Sequence, residues 1–243
     1  MSDRRPVLFV TNIVPPDRAG AFQALHEIEN IELALVGGRS HHATGPVDDP
    51  GVPHRHVRQR QIGRLARSGR YRAVVCGTAG RIALPASWRG ARRAGVPFVL
   101  WSALWAHPRT PAHRLLGTPL LRRIYRDADA VVTYGPHVTE FVLQHGARAI
   151  AEAPQSVDNE FWGAKIEKPE RLAPFTVLFV GRAARHKGEP ELLEAWRRSG
   201  LTPPAATLGL VGERGPEAGA LPPGVKALGA ADPERLRRLY AGA

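Results

Sequence analysis

The sequence predicts an α/β protein with two tandem parallel-sheet domains, the second of which is incomplete. Two observations predict this class. A short apolar run at residues 5–10 recurs almost verbatim at 176–180, and each copy leads into a polar loop and then a helix. Between the two copies, strand-like and helix-like segments alternate, which is typical of βαβ units that place helices on both faces of a parallel sheet.

Residues 1–153 are predicted to form the first domain, in which strands are short apolar runs and helices carry apolar residues at helical spacing. The Gly-, Pro-, His- and Asp-rich stretch 41–56 predicts an irregular loop. Pro119 should interrupt the basic helical segment 110–127, because an internal proline removes a helix hydrogen bond. The predicted strands are 5–10, 31–36, 71–76, 96–104, 130–134 and 150–153, and the predicted helices are 21–29, 60–68, 85–94, 110–127 and 137–144.

Residues 154–174 are polar and punctuated by proline, which predicts a linker, and 175–243 should form the first half of a second domain. Its strands are predicted at 176–180, 207–211 and 225–228. One helix should begin near Pro190 and another at Asp232-Pro233, since proline suits the first helical turn and aspartate the N-cap. Because the chain stops soon after Tyr240, an apolar sheet edge should be left open, which predicts self-association.

The loop that follows strand 176–180 has the composition of a phosphate-binding turn. Gly181 and Gly188 allow the backbone to approach a bulky anion, and Arg182, Arg185 and Lys187 supply positive charge. The start of the next helix adds unpaired N–H groups and the positive end of its dipole. These features predict a diphosphate ligand; the alternative is an ordinary solvated loop. A nucleoside triphosphatase P-loop is excluded, because no Gly-Lys-Ser/Thr follows.

This loop resembles the donor-diphosphate loop of retaining nucleotide-sugar glycosyltransferases in the large bacterial family 4, which have two Rossmann-like domains in the GT-B architecture. The shared pattern is an apolar strand, Gly-Arg, a few variable residues, Lys-Gly, and a helix with Leu-Leu-x-Ala. Residues 153–161 are similar to the family's linker signature, although Gln155 and Ser156 replace its usual Asn and Gly. The residues that match the loop are Gly181, Arg182, Lys187, Gly188, Leu192, Leu193 and Ala195.

The resemblance implies sugar transfer from a nucleotide-diphosphate sugar, with retention of configuration and with neither a metal ion nor a cofactor. Arg182 and Lys187 would neutralise the leaving diphosphate. A saccharide or lipid-linked acceptor of the cell envelope, or a polysaccharide, is implied in the same way.

Two positions are candidates for catalysis. His107 fits the family's histidine after the fourth strand, but it lies a few residues late, and packing against Trp105 is an equally good reading. Asp17 in the first loop is the next candidate. Ala19 and Gly20, in the same loop, would lie near the donor and the acceptor.

The resemblance also breaks at one place. The pair of glutamates with which the family grips the donor sugar and ribose belongs beyond Tyr240 and is not in this sequence. The resemblance therefore implies a truncated transferase with weak or no activity. The alternative is a non-catalytic fragment that binds a nucleotide or another anion.

Composition narrows the class of protein. The 243 residues are 43% hydrophobic, which is enough to build a core. The one cysteine, Cys76, lies in an apolar run and is better explained as a buried strand residue than as a nucleophile. Neither a signal peptide nor an apolar run of membrane-spanning length is present, which predicts a cytoplasmic protein.

Positive charge is concentrated in one part of the chain. The net charge is +12, and sixteen arginines but no acidic residue lie between Asp49 and Asp127. Such a segment suits an anionic membrane surface, a phosphorylated acceptor or nucleic acid, whereas a general preference for arginine (30 against 4 lysines) is the alternative. Nucleic acid is disfavoured, because the segment contains no recognisable reader motif.

Overall fold

Parallel strand pairing organises the chain in a computed structural model that describes residues 4–37, 49–78, 82–106, 113–181, 187–213 and 219–243. The described residues up to Asp158 form one unit, and Asn159–Ala243 belong to a second. Every strand pairing that the structure describes is parallel. The predicted α/β class with two parallel sheets is therefore confirmed.

The first unit alternates strands and helices. Its strands are β1 (Val7–Thr11), β2 (Ile31–Leu35), β3 (His54–His56), β4 (Ala73–Gly77), β5 (Phe98–Ser102), β6 (Ala130–Thr133) and β7 (Ile150–Glu152). Its helices are α1 (Ala19–Glu29), α2 (Ile62–Ala66), α3 (Ala83–Ala94), α4 (Thr118–Asp127) and α5 (Pro136–Gln144). The sheet order is β3-β2-β1-β4-β5-β6-β7, so the direction in which strands are added reverses between β1 and β4.

Helices cover both faces of this sheet, as the side chains of β1 illustrate. Leu8 and Val10 belong to a core cluster that includes Ile62 of α2. Phe9 points to the opposite face and packs in a second cluster with Phe22 of α1. Successive side chains of a strand alternate between faces, so an apolar run that is buried on both sides marks a central parallel strand.

The predicted irregular loop at 41–56 is wrong at its end, where His54–His56 form strand β3. This strand pairs with β2 at the edge of the sheet. Its His-Arg-His sequence has neither an apolar run nor alternation. Main-chain pairing and an ion pair between Arg55 and Glu32 of β2 hold the strand in place instead. Residues 41–48 of the predicted loop lie outside the described residues.

Pro119 lies close to a change of helix type and does not interrupt the helical segment, which is continuous over residues 113–127. A π-helical turn at His113–Gly117 precedes α4, and Pro119 lies in the first turn of α4, where its missing N–H costs nothing. Residues 110–112 of the predicted helix lie outside the described residues.

The second unit contains a three-stranded sheet in the order β10-β9-β8, which is formed by β8 (Phe175–Val180), β9 (Ala206–Val211) and β10 (Val225–Gly229). Its helices are α6 (Asn159–Gly163), α7 (Glu189–Arg198) and α8 (Pro233–Gly242). Trp196 of α7 packs on Leu208 and Leu210 of β9. β8 is an edge strand of this sheet, where Phe175 is 54% and Val180 40% exposed.

Two contacts attach the segment before β8 to α8. Arg235 donates to both carboxylate oxygens of Glu170, at 3.2 and 3.0 Å, and this hydrogen bonding lowers the pKa of the Glu170 carboxyl. The Arg237 guanidinium lies 4.4 Å from the ring centroid of Phe161 in α6. Asp232 accepts a hydrogen bond from the Arg235 N–H at 2.8 Å, so the predicted N-cap of α8 is confirmed.

A pair of glycines tests how closely α2 and α3 pack. A Cβ on Gly90 would lie 2.6 Å from the Ala66 Cβ and 3.1 Å from the Gly63 carbonyl oxygen, whereas a Cβ on Gly63 would meet Ala86 at an ordinary 3.6 Å. We expect Gly90→Ala to lower the free energy of unfolding by about 1–3 kcal/mol through overpacking. Gly63→Ala should be neutral or should raise it by up to about 1 kcal/mol, because alanine favours the helix.

Urea unfolding of the two variants and the parent measures this difference. A Gly90→Ala protein as stable as Gly63→Ala would contradict the close approach of the two helices.

Candidate functional site

The strand order of the first sheet reverses between β1 and β4. In open α/β sheets, ligands bind at such a reversal. A 3₁₀ turn at Pro16–Arg18 connects β1 to α1 and contains Asp17. Ala19 and Gly20 are the first residues of α1, which begins two residues earlier than predicted. A Cβ on Gly20 would meet nothing within 4 Å, so the space beside it is open.

Arg18 joins three parts of the carboxyl edge of this sheet. Its guanidinium donates to the Tyr134 hydroxyl at 3.4 Å, just after β6, and lies 5.9 Å from the centroid of the same ring. It also donates to the side-chain oxygen of Gln155. Gln155 departs from the family's linker signature, and the structure places it against Arg18.

Beneath Arg18 lies an aromatic cluster. The Trp101 ring, near the end of β5, makes edge contacts with Tyr134 and Phe9 at centroid distances of 5.6 and 5.2 Å. Phe22 of α1 completes it, 5.2 Å from Phe9. This cluster was not predicted from the sequence, although the aromatic residues in two consecutive predicted strands were a signal for it.

A pocket of about 80 Å³ opens between this cluster and residues 153–156. The Arg18 Nε and Trp101 Nε1 atoms are buried and have no hydrogen-bond partner. A buried N–H group without an acceptor is costly, so a ligand oxygen would be favoured here. Both residues line the pocket, but because neither atom has accessible surface, a ligand oxygen would reach these donors only after neighbouring side chains move.

The two catalytic candidates differ in what the structure describes of them. Asp17 is exposed, and its carboxylate lies 3.9 Å from the Arg18 Nε. His107 lies outside the described residues. Trp105, the packing partner in the alternative interpretation of His107, is 67% exposed.

The carboxyl edge of the second sheet is bordered by glycine. β8, β9 and β10 are followed by or end at Gly181, Gly212 and Gly229. The Gly181 N–H donates to the Val211 carbonyl and the Gly212 N–H to the Gly229 carbonyl, both at 2.8 Å. Gly212 and Gly229 have φ values of 136° and 70°, which side chains rarely adopt. Of these three glycines, only Gly181 was predicted to be a site residue, although each predicted strand of this domain is followed by a glycine.

The predicted diphosphate loop runs from Gly181 to α7. Gly188 is the N-cap of α7 and has a φ of 79°, so glycine is required there by backbone geometry. Lys187 precedes it and is exposed. Arg182 and Arg185 lie outside the described residues, so the structure positions one of the three predicted cations.

The first turn of α7 carries two carboxylates, Glu189 and Glu191, and the Glu189 residue is only 5% exposed. These acids complement the positive end of the helix dipole themselves. The predicted diphosphate site treated the start of this helix as favourable for an anion and did not take the two carboxylates into account. An anion at this loop would depend mainly on cationic side chains and main-chain N–H groups.

Cys76 is not an activated nucleophile. It is 1% exposed in β4, and burial raises the pKa of its thiol to about 12. A thiol with so high a pKa carries almost no thiolate at neutral pH, and the prediction of a buried strand residue is confirmed.

Two features are absent from the part of the chain that the structure describes. It contains no group of three or more His, Cys, Asp or Glu side chains that could hold a metal ion. None of its helices combines the length and the apolar composition needed to cross a membrane.

No protein-family model and no curated protein matches the sequence. Solved structures do match in fold. The Anabaena protein Alr3699/HepE in complex with UDP and glucose superimposes with a TM-score of 0.67 at 15% identity, covering 99% of this chain and 72% of that one. Its complex with UDP-glucose gives a TM-score of 0.66 at 16% identity, with the same coverage.

The apo form of the lipopolysaccharide outer core galactosyltransferase WaaB matches with a TM-score of 0.52 at 14% identity, covering 87% of this chain and 61% of that one. At these identities the similarity establishes a common fold, which is the fold that the resemblance implied.

Proposed function

We propose that this chain is a glycosyltransferase that moves a sugar from a nucleotide-diphosphate donor to an acceptor. The observation that carries the proposal is the glycine-bordered loop from Gly181 to Gly188, at the carboxyl edge of a parallel sheet, in a fold shared with a protein solved in complex with UDP-glucose. Parallel α/β sheets bind nucleotides at this edge, and the loop combines main-chain N–H groups with cations.

The donor end of the reaction would proceed with retention and without a metal ion. As the bond between the sugar and the diphosphate breaks, negative charge develops on the leaving phosphate. Arg182 and Lys187 would stabilise that charge, in the role that a metal ion fills in other phosphate chemistry. The resemblance to retaining family 4 enzymes supports this assignment, since both residues occupy matching positions.

The acceptor end would use the pocket beside Trp101 in the first unit. The buried, unpartnered N–H groups of Trp101 and Arg18 would donate to the hydroxyl or other oxygen atoms of a saccharide or lipid-linked acceptor once its binding moves the side chains that cover them. His107 is our first candidate for a catalytic role, and Asp17 the second.

The donor loop can be tested with UDP as the ligand. Replacing either Arg182 or Lys187 by alanine removes a charged hydrogen bond to phosphate and should weaken UDP binding by roughly 1.5–3 kcal/mol. By calorimetry this is a loss of roughly ten- to 150-fold in affinity. Lys226→Ala, an exposed lysine on β10 of the same unit, is the matched control and should bind as the parent does. Unchanged affinity in both loop variants would remove the basis of the proposal.

Catalysis separates the transferase from its alternative, a non-catalytic nucleotide-binding protein. We expect UDP release from UDP-glucose to require an acceptor and to fall by roughly 10²-fold or more in His107→Ala, as for loss of a general acid or base. If His107→Ala retains full turnover, Asp17→Asn should show the loss instead. A parent protein that binds UDP tightly but releases none from UDP-glucose across an acceptor screen would be the non-catalytic binder.

The acceptor pocket can be tested with a change that keeps the aromatic cluster. Trp101→Phe preserves the ring packing but removes the unpaired indole N–H. We expect a rise in KM of roughly five- to 150-fold for the acceptor found in that screen, because a buried hydrogen bond to substrate is worth about 1–3 kcal/mol. The affinity for UDP should not change.

Trp88→Phe is the control for this variant, since the Trp88 indole N–H is also buried and unpaired but does not line the pocket. An equal effect of the two tryptophan substitutions on KM would contradict a specific role for Trp101.

A further inference from the structure

The outer surface of α3, α4 and the π-helical turn before α4 combines exposed leucine with exposed arginine. Leu115 and Leu116, in the π-helical turn, are 74% and 77% exposed. Arg122, Arg123 and Arg126 follow on α4 and are exposed, whereas Ile124 and Tyr125 between them are buried. The solvent face of this segment is therefore apolar at its start and basic along the rest.

The exposed arginines of α3 adjoin this face. Trp88 of α3 is almost buried, and the guanidiniums of Arg89, Arg92 and Arg123 lie 5.8, 5.7 and 5.7 Å from its ring. Arg123 belongs to α4, so Trp88 links the basic faces of the two helices. We call the exposed residues Leu115, Leu116, Arg89, Arg92, Arg93, Arg122, Arg123 and Arg126 the Leu–Arg surface.

Acidic side chains do not neutralise this surface. Asp127 is the sole acidic residue in the sequences of α3 and α4, and it pairs with Arg92 at 2.6 Å and with Arg123 at 3.6 Å. Elsewhere in the arginine-rich segment, Arg55 and Arg70 pair with Glu32 and Arg72 pairs with Glu29. Four further arginines around α2 are exposed: Arg58, Arg60, Arg64 and Arg67. The Leu–Arg surface differs from them because exposed leucines adjoin its exposed arginines.

We propose that the Leu–Arg surface docks the protein on an anionic lipid bilayer. Basic residues around a pair of exposed leucines form the pattern of interfacial binding, in which apolar side chains enter the boundary between headgroups and acyl chains while cations contact lipid phosphates. Charge alone would suit any polyanion, including nucleic acid. The two leucines favour a bilayer over nucleic acid. A phosphate backbone offers no apolar phase in which burial of leucine side chains would lower the free energy.

The proposal stands apart from the transferase proposal, because neither the donor loop nor the pocket takes part in it. If sugar transfer failed its tests, lipid binding would still be expected, and the reverse also holds.

Co-sedimentation of the full chain with vesicles tests the proposal. Vesicles of equal parts phosphatidylcholine and phosphatidylglycerol should bind the protein, those of phosphatidylcholine should not, and binding should weaken between low salt and about 0.15 M ionic strength. The double variant Arg93→Ser with Arg122→Ser should lower the partition coefficient about 25-fold, at about fivefold for each arginine. The control pair Arg197→Ser with Arg198→Ser removes two exposed arginines from α7 in the second unit and should bind as the parent does.

The leucines provide the discriminating variant. Leu115→Ser with Leu116→Ser leaves the charge unchanged, is placed where both side chains are already exposed, and should lower binding to the anionic vesicles roughly tenfold. If this variant binds as the parent does, or if the parent binds both kinds of vesicle equally, the proposal is overturned. A parent that binds duplex DNA more tightly than the anionic vesicles at the same ionic strength would also overturn it and assign the surface to nucleic acid.

Discussion

Parallel pairing is the constraint on which the rest of the structure depends. When all strands of a sheet run in one direction, each connection must return to the opposite edge before the next strand begins, and helices fill that return path. The loops that leave the carboxyl ends are then gathered along one edge. Arg18 and Gln155, which are 137 positions apart in the chain, hydrogen-bond for this reason. The same rule gathers Gly181, Gly212 and Gly229 along one edge of the second sheet.

Prediction from the sequence succeeded where an element has its own local signal. Consecutive residues carry the signal for the buried strand β1, for the proline in the first turn of α4 and for the aspartate cap of α8. β3 could not be found in this way, because its three polar residues form a strand only through pairing with β2. The pocket was missed for a related reason. Its unpaired donors, on Arg18 and Trp101, become significant only once burial has removed them from water.

The arginine-rich segment divides into a structural part and an exposed part. Glu32 is buried in β2, where it pairs with Arg55 and Arg70 and so fixes the edge strand β3 to its neighbour. Burial, followed by the nearby Glu32 charge, raises the pKa of Tyr71 to about 12, so the hydroxyl stays neutral near the carboxylate. Sequence alone shows no acid within the segment, and the acids that compensate these arginines come from outside it. Composition therefore overstated the free positive charge of the first unit and could not say where the excess lies.

The carboxylates at the start of α7 change how the donor loop would work. A helix N-terminus presents roughly half a positive charge, and the first turn of α7 already holds two carboxylates that complement it, those of Glu189 and Glu191. A diphosphate would then be held by Lys187, by the arginines of the loop and by main-chain N–H groups that glycine leaves accessible, with the helix dipole contributing little. This requirement is the same for a transferase and for a protein that only binds nucleotide, because both must compensate the same charge. Affinity for UDP can therefore establish the loop as a diphosphate site, but the distinction between the two functions depends on whether the bond to the sugar is broken.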